Sequence, residues 1–582
     1  MTMTKQKEIV LDTETTGVNP HQAKLLGVSA YPNPAGNAVY INGEFRTILE
    51  SHLNDAVIGH NFKYDAVVLF NTFGYKFQCY FDTLIAYYIL HIDRPRKLEK
   101  IVSQLFKVKK KDLLEVYNEA TGQDRKSLPE EWWKEVPEDT LAEYACEDAK
   151  WTYEIKKYCE AEFNKQGNLH LKRWFFEVEM PLLNMLIEAE LKGIRWNIGR
   201  GKALASKLEK RKQLLETRLK WLSSPSLNVN SSKQIGEILF NKMKLPRLVK
   251  TKAGAWSTGT KVLEKLAEVS GFCKCLLEYR ELDKLLNTFI NPLTEAAEKD
   301  IYGRIHCTFN QALTRSRRFS CSDPNLQQIP SKTELGREVK GCFEAAPGHK
   351  LISIDYSQIE LRLLAHFSND PNLIEIFKKD GDIHKMTAMS MFGVSEDKVT
   401  YEQRELAKTI NFSILYGKSA YGYSQDWDCS EDAAQERIDE WFNIRPKVRE
   451  WMEWQKQDVR KRNSWTSSIA CLPLYVCVVD MKHQEIGNVL SSDRYIRAKA
   501  ERIAINIKIQ GSSQDIIKKA AVQVKEQHGH NFINMIHDQL IYEIPSDKAE
   551  AEAKKIKLTM ENVYQIKVPL KCDVKITERW EK

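Results

Sequence analysis

From residue 7 to about 160, short apolar strand-like runs alternate with helical ones, a pattern of the α/β class. The charged stretch KKYCEAEFNKQGNLHLKRW (156–174) carries little periodic signal and reads as a boundary. From about 175 to 300 the chain turns mostly helical, as in PLLNMLIEAELKG and KALASKLEKRKQLLETRLKWL, a pattern that predicts a helical arm. The clearest strands are expected in 300–361 and 494–582, with a helix-rich segment at 370–490 between them. No internal repeat or low-complexity tract interrupts the plan.

One strand raises a chemical question. In LISIDYSQIELRLLAHF (351–367), alternation puts Ile352 and Ile354 on one face and Leu351, Ser353 and Asp355 on the other, so a carboxylate ends an apolar run. A lone buried carboxylate is costly unless a cation neutralises it. The cation is a structural Lys or Arg, or a metal shared with a second acid. FINMIHDQLIYEI (532–544) offers that acid, because two strand-like runs flank His537, Asp538 and Gln539 and place Asp538 at a hairpin tip. Two carboxylates about 4 Å apart repel by roughly 4 kcal/mol at an effective dielectric near 20, so together they stay ionised only around a cation. Oxygen ligands select Mg²⁺ or Mn²⁺ over zinc, and such a pair is the protein half of a two-metal phosphoryl-transfer site. An ordinary acidic turn is the competing reading.

Composition narrows the class without deciding it. The 582 residues are enough for several domains, and 42% hydrophobic content supports ordinary cores. A formal net charge of +8 is compatible with nucleic acid. Twelve cysteines without a CxxC pair read as reduced thiols of a cytoplasmic protein (the host cytosol, if the source is viral). No leader-like apolar segment or membrane-length run is found, so no membrane partner is expected.

Two further stretches favour the phosphoryl-transfer reading. In RELAKTINFSILYG (404–417), Arg404, Lys408, Phe412 and Tyr416 recur every four residues, so one helical stripe offers two cations for a triphosphate and two rings for a base and sugar. In ERIAINIKIQGSSQDIIKKA (501–520), Arg502, Asn506 and Gln510 repeat the spacing and present donors suited to minor-groove acceptors. Taken singly, each stretch also fits a plain surface helix.

These motifs together resemble the signature motifs of family A, DNA polymerase I-like, DNA polymerases. SIDYSQIELRLLAH resembles the first palm motif, MIHDQLIYE the last, RELAKTINFSILYG the nucleotide-binding helix of the fingers, and TRSRRFSCSDPNLQQIP (314–330) the stretch that contacts the primer–template duplex. The resemblance implies that Asp355, Asp538 and the Tyr356 carbonyl hold metal and that Glu360 is the steric gate against ribonucleotides, with Gln358 beside it. It also implies that Arg404, Lys408, Phe412 and Tyr416 bind the nucleotide, with Lys408 counted among the catalytic groups. Arg318, Arg502, Asn506, Gln510 and His537 would line the duplex end. The chain departs from the family where Arg317 stands for Gly, Cys321 for Ser, Gln539 for an acid, and SSIACLP (467–473) for a GRRR-like run.

A second set of acids lies near the start. EIVLDTETTG (8–17) places Asp12 and Glu14 on one face of a strand; GHNFKYDAVVL (59–69) supplies Asp65, and YACED (144–148) supplies Tyr144 and Asp148. They resemble the motifs of DEDD-type 3′→5′ exonucleases of the RNase H-like fold, of the subclass with Tyr in the third motif. In that resemblance two metals and Tyr144 orient the attacking water. The basic run KVKKKD (107–112) reads as a solvated loop, with single-stranded DNA as the alternative.

The expectation is therefore a multidomain α/β chain: an RNase H-like exonuclease at 1–165, then a right-hand polymerase at 170–582 with thumb near 200–295, fingers near 362–490 and palm from 300–361 and 491–582. Two Mg²⁺ per site, replaceable by Mn²⁺, are expected. The partners would be primer–template DNA, a single-stranded 3′ end and deoxynucleoside triphosphates. A monomer is expected, in a compact phage-like layout without room for an N-terminal 5′-nuclease.

Overall fold

The computed structural model describes all residues except 1–6, 33–35, 44, 252, 332, 428, 480–484, 537 and 581–582. Its first unit is a five-stranded sheet in the spatial order Val39–Ile41, Leu25–Tyr31, Glu8–Thr15, Ala56–Gly59, Cys79–Asp82. The first three strands pair antiparallel and the last two join in parallel. Helix Glu138–Phe163 packs across the sheet; Pro137 precedes it and Glu138 and Asp139 fill its first turn, where the helix dipole favours anions.

The stretch 156–174, read as a boundary, is largely helical. Helix Glu138–Phe163 runs on through it and helix Leu169–Trp174 follows after a single 3₁₀ turn. Its buried side chains, Lys156, Cys159, Phe163, Leu171 and Trp174, are spread among charged neighbours, which dilutes any periodic signal. Phe175 joins the units, with ring centroids 4.8 Å from Phe81 and 5.2 Å from Phe163.

Residues 198–299 form the expected helices, among them the 26-residue helix Ile198–Ser223. Beyond them lies a four-stranded antiparallel sheet in the order Asn534–Ile536, Gln539–Pro545, His349–Tyr356, Cys572–Thr577. Leu351, Ile352, Ser353 and Ile354 are all buried, so the central strand is covered on both faces and alternation does not separate core from solvent until Asp355. The four-residue spacing of Arg502, Asn506 and Gln510 lies on a single 35-residue helix, Arg494–His528, and the strands expected within 494–582 follow it. Isoleucines dominate its apolar face, and their strand preference is overridden by packing. Asp493 caps its start and Gly529, at φ 72°, its end.

Candidate active sites

The end of the central strand sets the first site. Asp355 pairs in register with Gln539 on one side and Asp573 on the other, and the Tyr356 N–H donates to the Asp538 carbonyl at 3.3 Å. The hairpin turn thus brings Asp538 beside Asp355, as the two flanking strand-like runs predicted. Burial raises Asp538 to about 7, helped by Glu360 and Asp355 and opposed by Arg318. Desolvation by the surrounding protein, with Asp573 next, raises Asp355 to about 6 although its side chain reaches solvent. Asp573 is the acid that sequence reasoning missed; nothing in its own stretch marks it, and only strand pairing places it here.

Glu360, on the first turn of helix Ile359–Ser368, joins this carboxylate pair to the four-spaced stripe. One carboxylate oxygen accepts from Arg318 at 2.6 Å and the other from the Tyr416 hydroxyl at 2.7 Å. Tyr416 caps helix Tyr401–Leu415, whose start is fixed by a capping box between Thr400 and Gln403. Along that helix Arg404 is paired with Asp382 at 2.6 Å, Lys408 is exposed, and the half-buried Phe412 ring lies 5.7 Å from His384. Arg502 crosses behind it: a Cβ on Gly417, at φ 62°, would meet its side chain at 2.9 Å. Asn506 and Gln510 follow along the same long helix, half-buried. His537 lies outside the described residues.

Several buried polar atoms here have no partner: Gln358 Oε1, Arg318 Nε, Ser320 Oγ, Asn506 Oδ1 and Asp538 Oδ1. Orphaned groups carry a desolvation cost of about 1–3 kcal/mol each. They suit a polar, charged ligand that satisfies them. Gln358, at φ 53°, is held in the left-handed region at the head of its helix.

Arg317 points the other way. Its φ of 64° is the conformation that glycine adopts freely, and it sends the guanidinium inward to Glu179 at 3.1 Å and Asp515 at 3.6 Å. Lys518 pairs with Glu179 at 2.9 Å, and despite burial the two cations draw Glu179 down to about 2. The SSIACLP stretch is tied to the same helix: Ser512 accepts from the Ile469 N–H at 2.9 Å and Asp515 from the Ala470 N–H at 3.3 Å.

The second site sits on the first sheet. Asp12, Glu14 and Asp148 bring ligand atoms within 4.8 Å of one another. Asp12 and Glu14 share a strand face, and helix Glu138–Phe163 carries Asp148 and, one turn earlier, Tyr144. Asp65 is held close by, accepting from the Thr13 N–H at 3.0 Å and its hydroxyl at 2.6 Å. Burial, together with mutual repulsion, raises Glu14 to about 8; Asp65 rises to about 7 and Asp148 to about 6, chiefly through burial, and Asp12 also rises well above the carboxylate range. Burial likewise holds the Tyr144 phenol protonated. An all-oxygen set with this unmet negative charge fits a hard divalent cation. The lysine run corrects the solvated-loop expectation, because Lys110 is buried and ion-paired with Asp148.

The two sites are tied together. The Tyr88 hydroxyl donates to the Thr314 carbonyl at 2.7 Å, Arg96 donates to the Leu313 carbonyl at 2.6 Å, and Thr314 Oγ1 donates to the Arg318 carbonyl at 2.7 Å. Lys63, two residues before Asp65 and so on the opposite side of their helix, is paired with Glu190 at 2.6 Å, which also accepts from the Phe309 N–H.

A sequence profile described as DNA polymerase family A matches residues 200–582, most of the chain. The chain belongs to DNA polymerase family A. A 3′-5′ exonuclease profile matches residues 1–163 of this family A chain. Its relatives include the thermostable DNA polymerase I of Thermus aquaticus, 39% identical over 71% of this chain and 49% of that one. DNA polymerase I of Geobacillus stearothermophilus is 34% identical over 86% and 55%. The chain spans about half the length of the curated relatives it matches. A solved structure described as the POL domain of Pol1 from M. smegmatis, in complex with DNA primer-template and dNTP, superposes with a TM-score of 0.84 over 99% of this chain and 96% of that one, at 26% identity. No helix among the described residues is long and apolar enough to cross a membrane.

Proposed function

We propose that this family A chain extends a primer 3′ end against a DNA template and removes nucleotides from a single-stranded 3′ end at its second site. The observation that carries this reading is the Asp355–Asp538 strand-end pair joined through Glu360 to Arg318 and Tyr416. That arrangement sets a metal-binding pair beside a nucleotide-sized stripe and leaves polar atoms awaiting a ligand.

Asp355, Asp538 and the Tyr356 carbonyl would hold two Mg²⁺ at the first site, and Asp12, Glu14, Asp65 and Asp148 two at the second, with Mn²⁺ able to substitute. Bound there, the ions supply activation of the attacking oxygen and charge neutralisation on the leaving one. Arg404 and Lys408 hold the triphosphate, and the Phe412 ring packs on the nucleotide. Tyr416 lies beside the templating base. Glu360, already bonded on both oxygens, fills the space a ribose 2′-hydroxyl would need, and Gln358 sits at the same helix head. Arg318, Arg502, Asn506 and Gln510 line the duplex end. Tyr144 orients water at the second site while keeping its own proton.

In this reading residues 1–165 are the exonuclease, about 200–295 the thumb, about 362–490 the fingers, and about 300–361 with 491–582 the palm of a cytoplasmic monomer. Primer extension and degradation of a labelled single strand test it together. Asp355→Ala or Asp538→Ala is expected to abolish extension and spare degradation, whereas Asp12→Ala with Glu14→Ala does the reverse. Loss of both activities in a folded single-site variant would refute the two-site assignment.

A further inference from the structure

Lys109, Lys110 and Lys111 are consecutive but point differently. The side chains of Lys109 and Lys111 are 79% and 47% exposed and pair outward with Glu115 and Glu119, whereas that of Lys110 is 1% exposed. An extended segment alternates its side chains, so two outward neighbours direct the middle one inward. The segment is anchored on both sides. Lys107, at φ 59°, ends helix Leu98–Phe106, and Asp112 forms a capping box with Glu115 at the start of helix Leu113–Thr121. The Lys110 ammonium is ion-paired with Asp148 Oδ1, donates to the Lys111 carbonyl at 3.3 Å and stands 4.3 Å from the centroid of the Tyr144 ring. A fixed backbone leaves only the flexible four-carbon side chain free to withdraw.

We infer that Lys110 is a resident cation of the exonuclease cluster that competes with divalent ions for Asp12, Glu14 and Asp148, and so sets the ion concentration at which that site fills. The inference rests on the reading of this cluster as a metal site. Three carboxylates within 4.8 Å of one another repel strongly, and an ammonium on Asp148 relieves part of that repulsion before any divalent ion arrives. An incoming ion needs the same oxygen lone pairs and is repelled by the ammonium, so loading requires the lysine to swing away. Its contact with the Tyr144 ring means that the same movement uncovers that ring.

Manganese binding, measured by calorimetry and by the spin-resonance signal of the free ion, tests this on a background carrying Asp355→Asn and Asp538→Asn, which confines binding to the exonuclease cluster. Lys110→Met and Lys110→Gln are expected to tighten Mn²⁺ binding at least tenfold, while Lys110→Arg keeps the affinity of the background. In chelator at pH 8 both neutral variants should unfold at lower temperature than the background, and Mn²⁺ should close that gap. Unchanged or weaker Mn²⁺ binding in the neutral variants would overturn the inference and make Lys110 a mere support of Asp148. If adding Asp12→Asn and Glu14→Gln to the background leaves Mn²⁺ binding intact, the reading of the cluster as a metal site itself fails.

Discussion

Phe412 and Arg317 show how much a single side chain decides. Phe412 lies half-buried on the stripe between Lys408 and Tyr416 and has no hydroxyl to replace a missing 3′-hydroxyl on an incoming nucleotide. Leaving a buried polar group unmet costs about 1–3 kcal/mol, so selection against dideoxynucleotides should be strong. Phe412→Tyr is expected to narrow that selection at least about tenfold, a change of about 1.4 kcal/mol, with ordinary extension retained. Single-nucleotide incorporation kinetics with the exonuclease disabled would measure it, and an unchanged ratio would remove the sugar from this helix face. Arg317 is a matter of stability. Its removal takes the guanidinium from buried Asp515 and leaves Glu179 with Lys518 alone, and breaking such a buried set costs about 3–5 kcal/mol. Arg317→Gly recovers about 1–2 kcal/mol of that, because the left-handed backbone suits glycine and not alanine. Denaturant unfolding should therefore rank wild type above Arg317→Gly and Arg317→Gly above Arg317→Ala; equal stability of the two variants would show that the φ of 64° carries no cost.

At the scale of elements, the acids at strand and helix ends predict how the metal-free protein responds to pH. Glu14, Asp65 and Asp148 are raised to about 8, 7 and 6, and Asp538 to about 7. Unfolded carboxylates titrate near about 4. Between about pH 4 and 8 the folded state therefore holds protons that the unfolded chain has released, and stability falls as pH rises through this window. In chelator, the melting temperature is expected to drop between about pH 5.5 and 8.5 beyond any drop seen with Asp12→Asn and Glu14→Gln. Added Mg²⁺ should restore the loss at the upper end. A pH-independent difference between wild type and variant would contradict the raised proton affinities. The elements that carry these acids were legible in the sequence because their signals are local: alternation ending in Asp355, a two-residue step from Asp12 to Glu14, a four-residue repeat from Arg404 to Tyr416. Lys110 was not legible, since three lysines in a row look solvated until both helix caps are seen to clamp them. Asp573 was hidden because its neighbour Asp355 is set by long-range strand pairing. The direction of Arg317 follows from a backbone angle that no propensity predicts.

Over the whole molecule, one hydrophobic cluster runs from Ile9 in the first sheet through Phe81, Phe163 and Phe175 to Leu351, Ile541 and Trp580. Buried ion pairs cross it as well, from Lys63 to Glu190 and from Glu179 to Arg317 and Lys518. Chains with loosely joined domains melt in steps, one part outliving another. Here buried apolar residues on both sides of the seam belong to one continuous cluster. Heating should therefore extinguish extension and degradation at the same temperature and with the same time course, and calorimetry should record one transition. Two separated transitions, or a surviving nuclease, would show that the seam opens first. On the proposed two-site function the consequence is protective: an ageing molecule would not pass through a stage in which it still copies but has stopped correcting, so the accuracy of what it makes would be set by its chemistry and not by its history.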